Sequence, residues 1–95
     1  MFAVSGTWTM DSGMREQQAA MLPALVAGVS QNAGFVRGFW SEDVDDPAVA
    51  VTFIVFETRD QADAFREAVM ANAPAQAESG VGRAGLRTVR VTVDA

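Results

Sequence analysis

The segment Gly80–Gly85, with the sequence GVGRAG, has the spacing of the GxGxxG motif that binds dinucleotide pyrophosphates. In dinucleotide-binding folds this motif follows a strand and opens a helix, and an acidic residue about 20 positions later binds the ribose. Here the motif follows a predicted helix and leads into the last predicted strand, with only residues 86–95 after it. We therefore expect these glycines to permit turns with positive φ before strand four.

The residue types that the chain lacks exclude several kinds of chemistry. Its 95 residues contain no His, Cys or Tyr. These absences exclude disulfides, thiolate metal sites, cysteine nucleophiles, the Ser-His-Asp arrangement and most zinc or haem ligation. We therefore expect neither a metal site nor a cofactor.

The charge of the chain bears on its partners. The net charge is −5, and the seven basic residues are arginines scattered along the sequence. Nucleic acids and anionic membrane surfaces require a basic face, so we expect neither as a partner. The first ten residues contain no Lys or Arg, and no apolar run approaches the length of a membrane span. These features predict a cytoplasmic protein.

Acidic side chains at two positions are candidates for chemistry. Carboxylates of the kind that bind hard cations occur in the loop 42–47, at Glu42, Asp43, Asp45 and Asp46. The loop lacks the glycine and the final glutamate of an EF-hand, so we interpret it as a solvated hairpin tip. Glu57 would act as a general base only if burial raised its pKa.

Two tryptophans and one arginine are candidates for ligand binding. Trp8 and Trp40 have side chains that stack on flat aromatic ligands. The alternative for both is packing in the core or in an interface. Arg37 lies between Phe35 and Phe39 on a predicted edge strand, where it is placed to orient an anionic group at a pocket mouth. Protection of the sheet edge is the alternative for Arg37.

The hydrophobic periodicity defines six main elements. Alternating or apolar runs predict four strands, at 2–10, 35–41, 48–57 and 86–94. The helical spacing of apolar residues predicts two helices, one after Ser12 and one at 59–73. Ser12 is the predicted N-cap of the first helix, and Pro23 predicts a kink or break near residue 22. The first helix carries one apolar stripe, Leu22, Leu25, Val26 and Val29. Thr58 and Gln61 predict a capping box for the second helix.

The order strand, helix, strand, strand, helix, strand predicts one ferredoxin-like α+β domain over residues 1–95. In this arrangement two right-handed crossovers place strands one and three at the centre of a four-stranded antiparallel sheet. Both helices cover the same face. The arginines of the second and fourth strands then lie at the edges, where charge prevents unwanted strand pairing.

The third strand predicts a homodimer because it is apolar on both faces. Four of its side chains point away from the helices, Val49, Val51, Phe53 and Val55. Leaving four such residues in water would forgo about 6–12 kcal/mol, comparable to the stability of a small domain. A second copy packed sheet against sheet would cover them. The alternative is a monomer with an open apolar sheet or with a C-terminal loop folded across it.

Segments spanning nearly the whole chain resemble the antibiotic biosynthesis monooxygenase-like group of dimeric α/β barrel proteins: NAGFVRGFW, the DDP hairpin, VTFIVFET and RDQADAF. Members of that group oxidise polycyclic quinol-type substrates without a cofactor, and relatives degrade haem. Their motif E-x-W-x-S-x-E-A-L-x-A-H would place Phe56 at the Trp position, Thr58 at the Ser position and Phe65 at the His position. The resemblance implies a dimeric α/β barrel with a ligand-sized cavity between sheet and helices, which Phe56 and Phe65 would line.

Two functions follow as hypotheses. In the first, the dimeric barrel binds a small apolar or aromatic molecule and oxidises it, as a cofactor-independent monooxygenase would. In the second, the domain is non-catalytic and its apolar faces serve dimerisation and partner binding. A cavity of about 300 Å³ or more lined by Trp or Phe would favour the first, and a space filled by side chains would favour the second.

Overall fold

The computed structural model describes residues 1–95 and contains four strands and three α-helices. The elements are β1 (Phe2–Met10), a 3₁₀ turn (Ser12–Met14), α1 (Arg15–Ser30), β2 (Phe35–Glu42), β3 (Val49–Phe56), α2 (Arg59–Ala71), α3 (Ala73–Glu78) and β4 (Val81–Arg90). The strands form one antiparallel sheet in the order β2-β3-β1-β4. The predicted ferredoxin-like arrangement, with β1 and β3 at the centre, is confirmed. None of the helices has the length and hydrophobicity needed to cross a membrane.

The core lies between the sheet and the helices. Phe56 and Val4 are fully buried at its centre. Ile54 from β3, Val29 from α1 and Ala62 from α2 complete the buried cluster. The helix α2 approaches β1, β3 and β4 closely, whereas α1 makes its close approach to β2. The capping box that begins α2 is confirmed, because the Thr58 hydroxyl accepts from the Gln61 amide and the Gln61 side chain accepts from the Thr58 amide.

Two features of the first crossover differ from the sequence prediction. The helix α1 runs continuously through Pro23, so of the predicted kink or break the break does not occur. Proline lacks an N–H, so the carbonyl of Ala19 loses its helical donor, but the helix continues on both sides. Ser12 does not cap this helix. The helix α1 has no side-chain cap, and the side-chain cap in this region is Asp11, whose carboxylate accepts from the Gly13 amide at 2.9 Å and begins the 3₁₀ turn.

The last part of the chain also differs from prediction. The second predicted helix ends at Ala71, and a short α3 follows it. The last strand begins at Val81 and ends at Arg90, so most of the GVGRAG segment is strand and only Gly80 has a positive φ, 72°. Pairing with β1 along its whole length overrides the weak strand preference of glycine. An extra residue in β4, Ala84, forms a bulge opposite Thr7 and Trp8.

A second bulge in β2 places neighbouring side chains on different faces. Phe35 pairs with Phe56 and Arg37 pairs with Val55, so Val36 is the extra residue. Phe35 therefore packs edge-on against Phe56, with ring centroids 6.4 Å apart, on the helix side of the sheet. Strict alternation would have put Phe35 on the same face as Arg37.

We call the side of the sheet away from the helices the open face. Its two central residues Ala3 and Val55 are buried, although no helix lies over them. The segment 91–95 leaves β4 with the Val91 amide bonded to the Met1 carbonyl at 3.0 Å. It reaches the opposite edge of the sheet, where Asp94 pairs with Arg37 at 3.8 Å. The chain therefore covers one end of its own open face.

The rest of the open face remains accessible. Phe39 is 55% exposed and Val51 is 40% exposed, and the two lie on adjacent strands. Phe53, two residues after Val51 on β3 and paired with Phe39, is half-buried. The C-terminal segment considered as an alternative cover therefore leaves an apolar patch uncovered, which we call the open-face patch: Phe39, Val51 and Phe53.

A polar cluster joins α2 to the edge strand β4. The Thr88 hydroxyl donates to the Asp63 carboxylate at 2.7 Å. The same carboxylate lies 3.4 Å from Arg59 Nε and 3.8 Å from Arg66 Nη2. The hydrogen bond from Thr88 and the two guanidiniums hold the pKa of Asp63 below its ordinary value of 3.8, although partial burial opposes them. Asp63 is therefore ionised and bonded at neutral pH.

Replacing Asp63 with Asn should reduce stability in a pH-dependent way. A carboxylate with a lowered pKa in the folded state stabilises the fold above its unfolded pKa, and this contribution is lost as the pH falls through the folded pKa. The wild type should therefore be more stable than Asp63→Asn at neutral pH, and the difference should close as the pH falls below 3.8. Urea denaturation across the pH range would measure it.

Glu67→Gln provides the control, because Glu67 is exposed on the same helix and makes no ion pair. It removes the same charge, and its difference in unfolding free energy from the wild type should not disappear as the pH falls. Equal pH profiles for Asp63→Asn and Glu67→Gln would contradict the assigned role of Asp63.

Candidate functional site

Trp8 lies against the helix side of the sheet, over a glycine of its own strand. A Cβ atom at Gly6 would be 2.7 Å from the indole Nε1 of Trp8, so the ring occupies the space that any other residue at position 6 would fill. The indole N–H donates to the Thr52 hydroxyl at 2.9 Å. Trp8 is 8% exposed. Its position is thus fixed by a glycine below it and a hydrogen bond at its edge.

Trp40 repeats this arrangement on β2. A Cβ at Gly38 would be 2.8 Å from two ring carbons of the Trp40 indole, so this ring also lies over a glycine two residues before it. Trp40 is half-buried and packs against the core cluster. Thr52 pairs with Trp40 on one side and with Gly6 on the other. We call the surface formed by Trp8, Thr52 and Trp40 the tryptophan floor.

Thr52 is the polar side chain between the two indoles. Its oxygen accepts the hydrogen of Trp8 Nε1, which leaves its own hydrogen free to donate. The floor carries no charged group. Because Trp8 is buried and Trp40 is half-buried, neighbouring side chains already cover most of both rings.

The helix α1, which approaches the sheet closely at β2, is held at both ends. Near its start, the Gln18 amide donates to the carbonyl of Ser79 at 2.9 Å and to that of Asp11 at 3.2 Å. Arg15 donates to the carbonyl of Pro47 at 3.3 Å, on the β2–β3 hairpin. Near its end, Val29 is buried in the core. The middle of α1 thus spans the sheet between two anchored ends.

The middle of α1 is poorly covered although it is apolar. Of the predicted stripe, Val29 is buried and Val26 is half-buried, but Leu25 and Leu22 are 52% and 41% exposed. Met21 is 47% exposed, with its sulfur 3.5 Å from the Ser79 hydroxyl. These apolar side chains therefore form an exposed strip on α1. We call Met21, Leu22 and Leu25 the apolar margin.

Four of the five predicted ligand-binding residues lie on the helix side of the sheet. Trp8 and Trp40 form the floor, whereas Phe56 is fully buried and stacks on Phe65 with ring centroids 5.2 Å apart. Phe56 and Phe65 therefore lie in the packed core behind the floor. Arg37 is on the open face, paired with Asp94, and so lies on the other side of the sheet from the floor.

Two surface cavities lie away from the floor. The larger, about 460 Å³, is a shallow depression around the start of α1, lined by residues 12–17. The smaller, about 170 Å³, lies where the Phe2 end of the sheet meets the start of α2. The larger cavity exceeds the predicted size but is not lined by Trp or Phe. Neither cavity is lined by a residue of the floor, where Trp8 is only 8% exposed.

The acidic candidates have structural contacts or are exposed. Asp43 accepts from the amides of Asp45 and Asp46 at 3.1 and 2.8 Å, and Asp46 accepts from the Ala48 amide at 3.0 Å. These carboxylates shape the hairpin turn, and no group of His, Cys, Asp or Glu is arranged to hold a metal ion. Glu57 is exposed, so the condition for its action as a base is not met.

The sequence analysis missed the two glycines and Thr52. The signal was present as a repeated Gly-x-Trp at 6–8 and 38–40. Residues two apart on a strand share a face, so each pair places a bare backbone beside a large ring. Thr52 had no local signal, because its role depends on pairing with both neighbouring strands.

Replacing Gly6 with Ala should displace the Trp8 indole. The new Cβ would overlap the ring and the Thr52 hydroxyl, so we expect a loss of about 1–3 kcal/mol in unfolding free energy, typical of overpacking. The tryptophan emission should move to the red as the indole becomes wetter. Gly85→Ala is the matched control, because a Cβ at Gly85 would meet no atom within 4 Å. Equal effects of the two substitutions would contradict the packing described.

Comparison with known proteins finds similarity at the level of structure. No protein-family model and no curated protein matches the chain. A Deinococcus radiodurans structure provisionally described as an antibiotic biosynthesis monooxygenase has a TM-score of 0.75 at 15% identity, covering 100% of this chain and 95% of that chain. Rv0793 from Mycobacterium tuberculosis has a TM-score of 0.74 at 20% identity, covering 99% and 97%.

A third structure is a haem-binding protein. The heme-degrader MhuD (Rv3592) from Mycobacterium tuberculosis, with two hemes in its active site, has a TM-score of 0.76 at 15% identity. The match covers 100% of this chain and 99% of that chain. At such low identities the comparisons establish the fold. This chain has the ferredoxin-like fold shared by structures described as antibiotic biosynthesis monooxygenases and by a heme-degrading protein.

Proposed function

We propose that the chain binds a small, flat, apolar or aromatic molecule between the tryptophan floor and the apolar margin of α1. The observation that carries this proposal is the pair of indoles over Gly6 and Gly38, beside a helix whose apolar residues remain exposed. Indole faces favour offset stacking with flat rings. A flat ligand would therefore gain aromatic contact below and aliphatic contact above.

The apolar margin provides part of the driving force. Leu22 and Leu25 are 41% and 52% exposed in a helix that is anchored at both ends. Burying both side chains against the sheet would therefore require movement of that helix. Full burial of one such side chain contributes about 1.5–3 kcal/mol. A ligand that covers the margin would recover a fraction of this for each residue.

The polar character of the site favours a neutral ligand with an acceptor oxygen. The floor residues themselves carry no charge, so a charged group placed directly over them would lose hydration, which is costly. The Thr52 hydrogen is available to a carbonyl or phenolic oxygen, because its acceptor role is taken by Trp8. Quinone- or quinol-type molecules combine these features.

The proposal includes oxidation of the bound molecule by dioxygen, as the description of structural neighbours suggests. The floor holds no ionisable side chain, and the chain has no His, Cys or Tyr. In the cofactor-independent reaction that we propose, the electrons come from the substrate itself: one oxygen atom enters the substrate and the other leaves as water. An electron-rich quinol-type ring meets this requirement.

Haem does not fit the residues of this chain. The usual axial ligands His, Cys and Tyr are absent. Phe65, which the motif would match to the His position, is an apolar residue stacked on Phe56 in the core. We therefore assign no haem chemistry to this site.

Titration with three flat probes should test the ligand site. Saturable quenching of tryptophan fluorescence should be strongest for naphthoquinone, weaker for naphthalene, which lacks an acceptor oxygen, and weakest for naphthoate, which is charged. Placing a carboxylate in the margin by Leu25→Asp should weaken naphthoquinone binding about tenfold, equivalent to ~1.4 kcal/mol. Oxygen uptake with the corresponding quinol would measure turnover.

The control is Ala20→Asp, an exposed position of the same helix outside the apolar stripe. It should leave naphthoquinone binding unchanged. If none of the probes gives saturable quenching, or if both Asp variants weaken it equally, the ligand site is refuted.

We propose in addition that the open-face patch forms a homodimer interface. The alternative function is a non-catalytic domain that uses this face for dimerisation or partner binding. The supporting observation is the exposure of Phe39 and Val51 beside the half-buried Phe53. A second copy related by two-fold symmetry would present the same patch and cover it. Dimerisation and ligand binding use opposite faces of the sheet, so both can hold together.

Val51→Asp should convert the dimer to a monomer, because it places a carboxylate at the centre of an apolar interface. Light scattering should give twice the mass of one chain for the wild type and the mass of one chain for the variant. Val44→Asp is the control, since Val44 is 95% exposed on the hairpin. A wild type with the mass of one chain at high concentration would contradict the dimer.

A further inference from the structure

The smaller cavity, about 170 Å³, has an unusual lining for an acidic protein. Arg59 at the start of α2 and Arg90 at the end of β4 both border it, together with Phe2, Thr88 and Val89. The chain as a whole carries a net charge of −5. Two of its seven arginines nevertheless converge on one small concave surface.

The guanidinium of Arg90 is held in place by an aromatic ring. Phe2 and Arg90 are directly opposite on paired strands. The guanidinium carbon lies 5.2 Å from the centroid of the Phe2 ring, within the range of a cation–π contact. Arg90 makes no ion pair with any carboxylate of the chain. Its hydrogen-bond donors are therefore positioned and unused by other side chains.

The adjoining carboxylate does not neutralise the cluster. Asp63 is the acidic partner of both Arg59 and Arg66 and also accepts from Thr88. Arg66 Nε is buried and has no hydrogen-bond partner, so one carboxylate leaves its neighbours incompletely satisfied. Three guanidiniums and one ionised carboxylate leave an excess of positive charge at this corner.

Other acidic side chains nearby do not supply the missing charge. Glu57 and Asp60 flank Arg59 in the sequence, but both are exposed and neither pairs with an arginine within 4.0 Å. The remaining ion pairs lie at other parts of the molecule, Arg15 with Glu42 and Arg37 with Asp94. The positive excess is therefore local and open to solvent.

We propose that this cavity binds the oxyanion group of a small molecule, a carboxylate or a phosphate, between Arg59 and Arg90. The planar guanidinium fork matches the oxygen geometry of both groups. The volume admits one such group and a short substituent, and it is smaller than the cavities of about 300 Å³ or more that enclose whole drug-sized ligands. The site is an anion-recognition pocket with an aromatic wall.

This site does not depend on the proposed function. It lies at the Phe2 end of β1, about 20 Å along the strand from Trp8. An anion bound there would not touch the tryptophan floor. Failure of the flat-probe titration would therefore leave this inference standing, and the reverse also holds.

Amide NMR titrations with phosphate and with benzoate, at low chloride, would test the pocket. We expect saturable shifts at Thr88, Val89 and Arg90 with one or both anions. A stronger response to benzoate would assign a carboxylate ligand, and a stronger response to phosphate a phosphorylated one. Arg90→Gln should weaken binding about tenfold or more, as expected for loss of a charge-assisted hydrogen bond.

Arg83→Gln is the matched control. Arg83 is exposed on the same strand, makes no ion pair and does not border the cavity, and its loss removes the same charge. It should leave the affinity unchanged, and dispersed amide spectra would show that both variants are folded. Unsaturable shifts in the wild type, or equal weakening by Arg90→Gln and Arg83→Gln, would overturn the proposal, because either result indicates attraction to charge alone.

Discussion

The helices can shield only one face of a sheet whose central strand β3 is apolar on both faces, and this shortage of cover governs the rest of the molecule. The helices bury Phe56, Ile54 and Val4 on one side. On the other side the chain supplies only the segment 91–95, which reaches Arg37 and covers Ala3 and Val55. The helix side is itself unevenly covered, because α2 lies close to three strands while α1 bridges the sheet from anchored ends. Exposed apolar surface therefore remains on both faces.

The Gly-x-Trp pairs determine what the uneven helix side offers. A glycine beneath each indole lets a large ring lie against the backbone, where a side chain would force it upright. Each ring consequently lies close to the sheet, and the hydrogen bond from Trp8 joins it to Thr52 between the two rings. The arrangement supplies shape and polarity without any ionisable group. In this it contrasts with the Arg59–Arg90 corner, where recognition would rest on charge.

The topology was predictable from sequence because it depends on local patterns. Alternation in β3, the capping box at Thr58 and the order of elements all survive in the structure. The errors concern features set by distant partners. Pro23 remains in a continuous helix because both ends of α1 are anchored, and β4 begins at Val81 because β1 offers a full-length partner. The bulge at Val36 moves Phe35 into the core while Arg37 stays on the open face, a distinction that alternation cannot express.

Among the candidate site residues, the tryptophans were recognisable by type, whereas Thr52 and the glycines beneath the rings required the strand register.

The segment 91–95 links the two outer edges of the sheet across the open face. It can dock only after all four strands have assembled, so it should be among the last parts to order during folding. Its link to Arg37 is a single ion pair between half-exposed side chains, a type that contributes about 0–1 kcal/mol. Val93 within it is 83% exposed and adds little burial. The segment 91–95 should therefore detach in frequent local openings while the core stays intact, and each opening would expose Ala3 and Val55 to water.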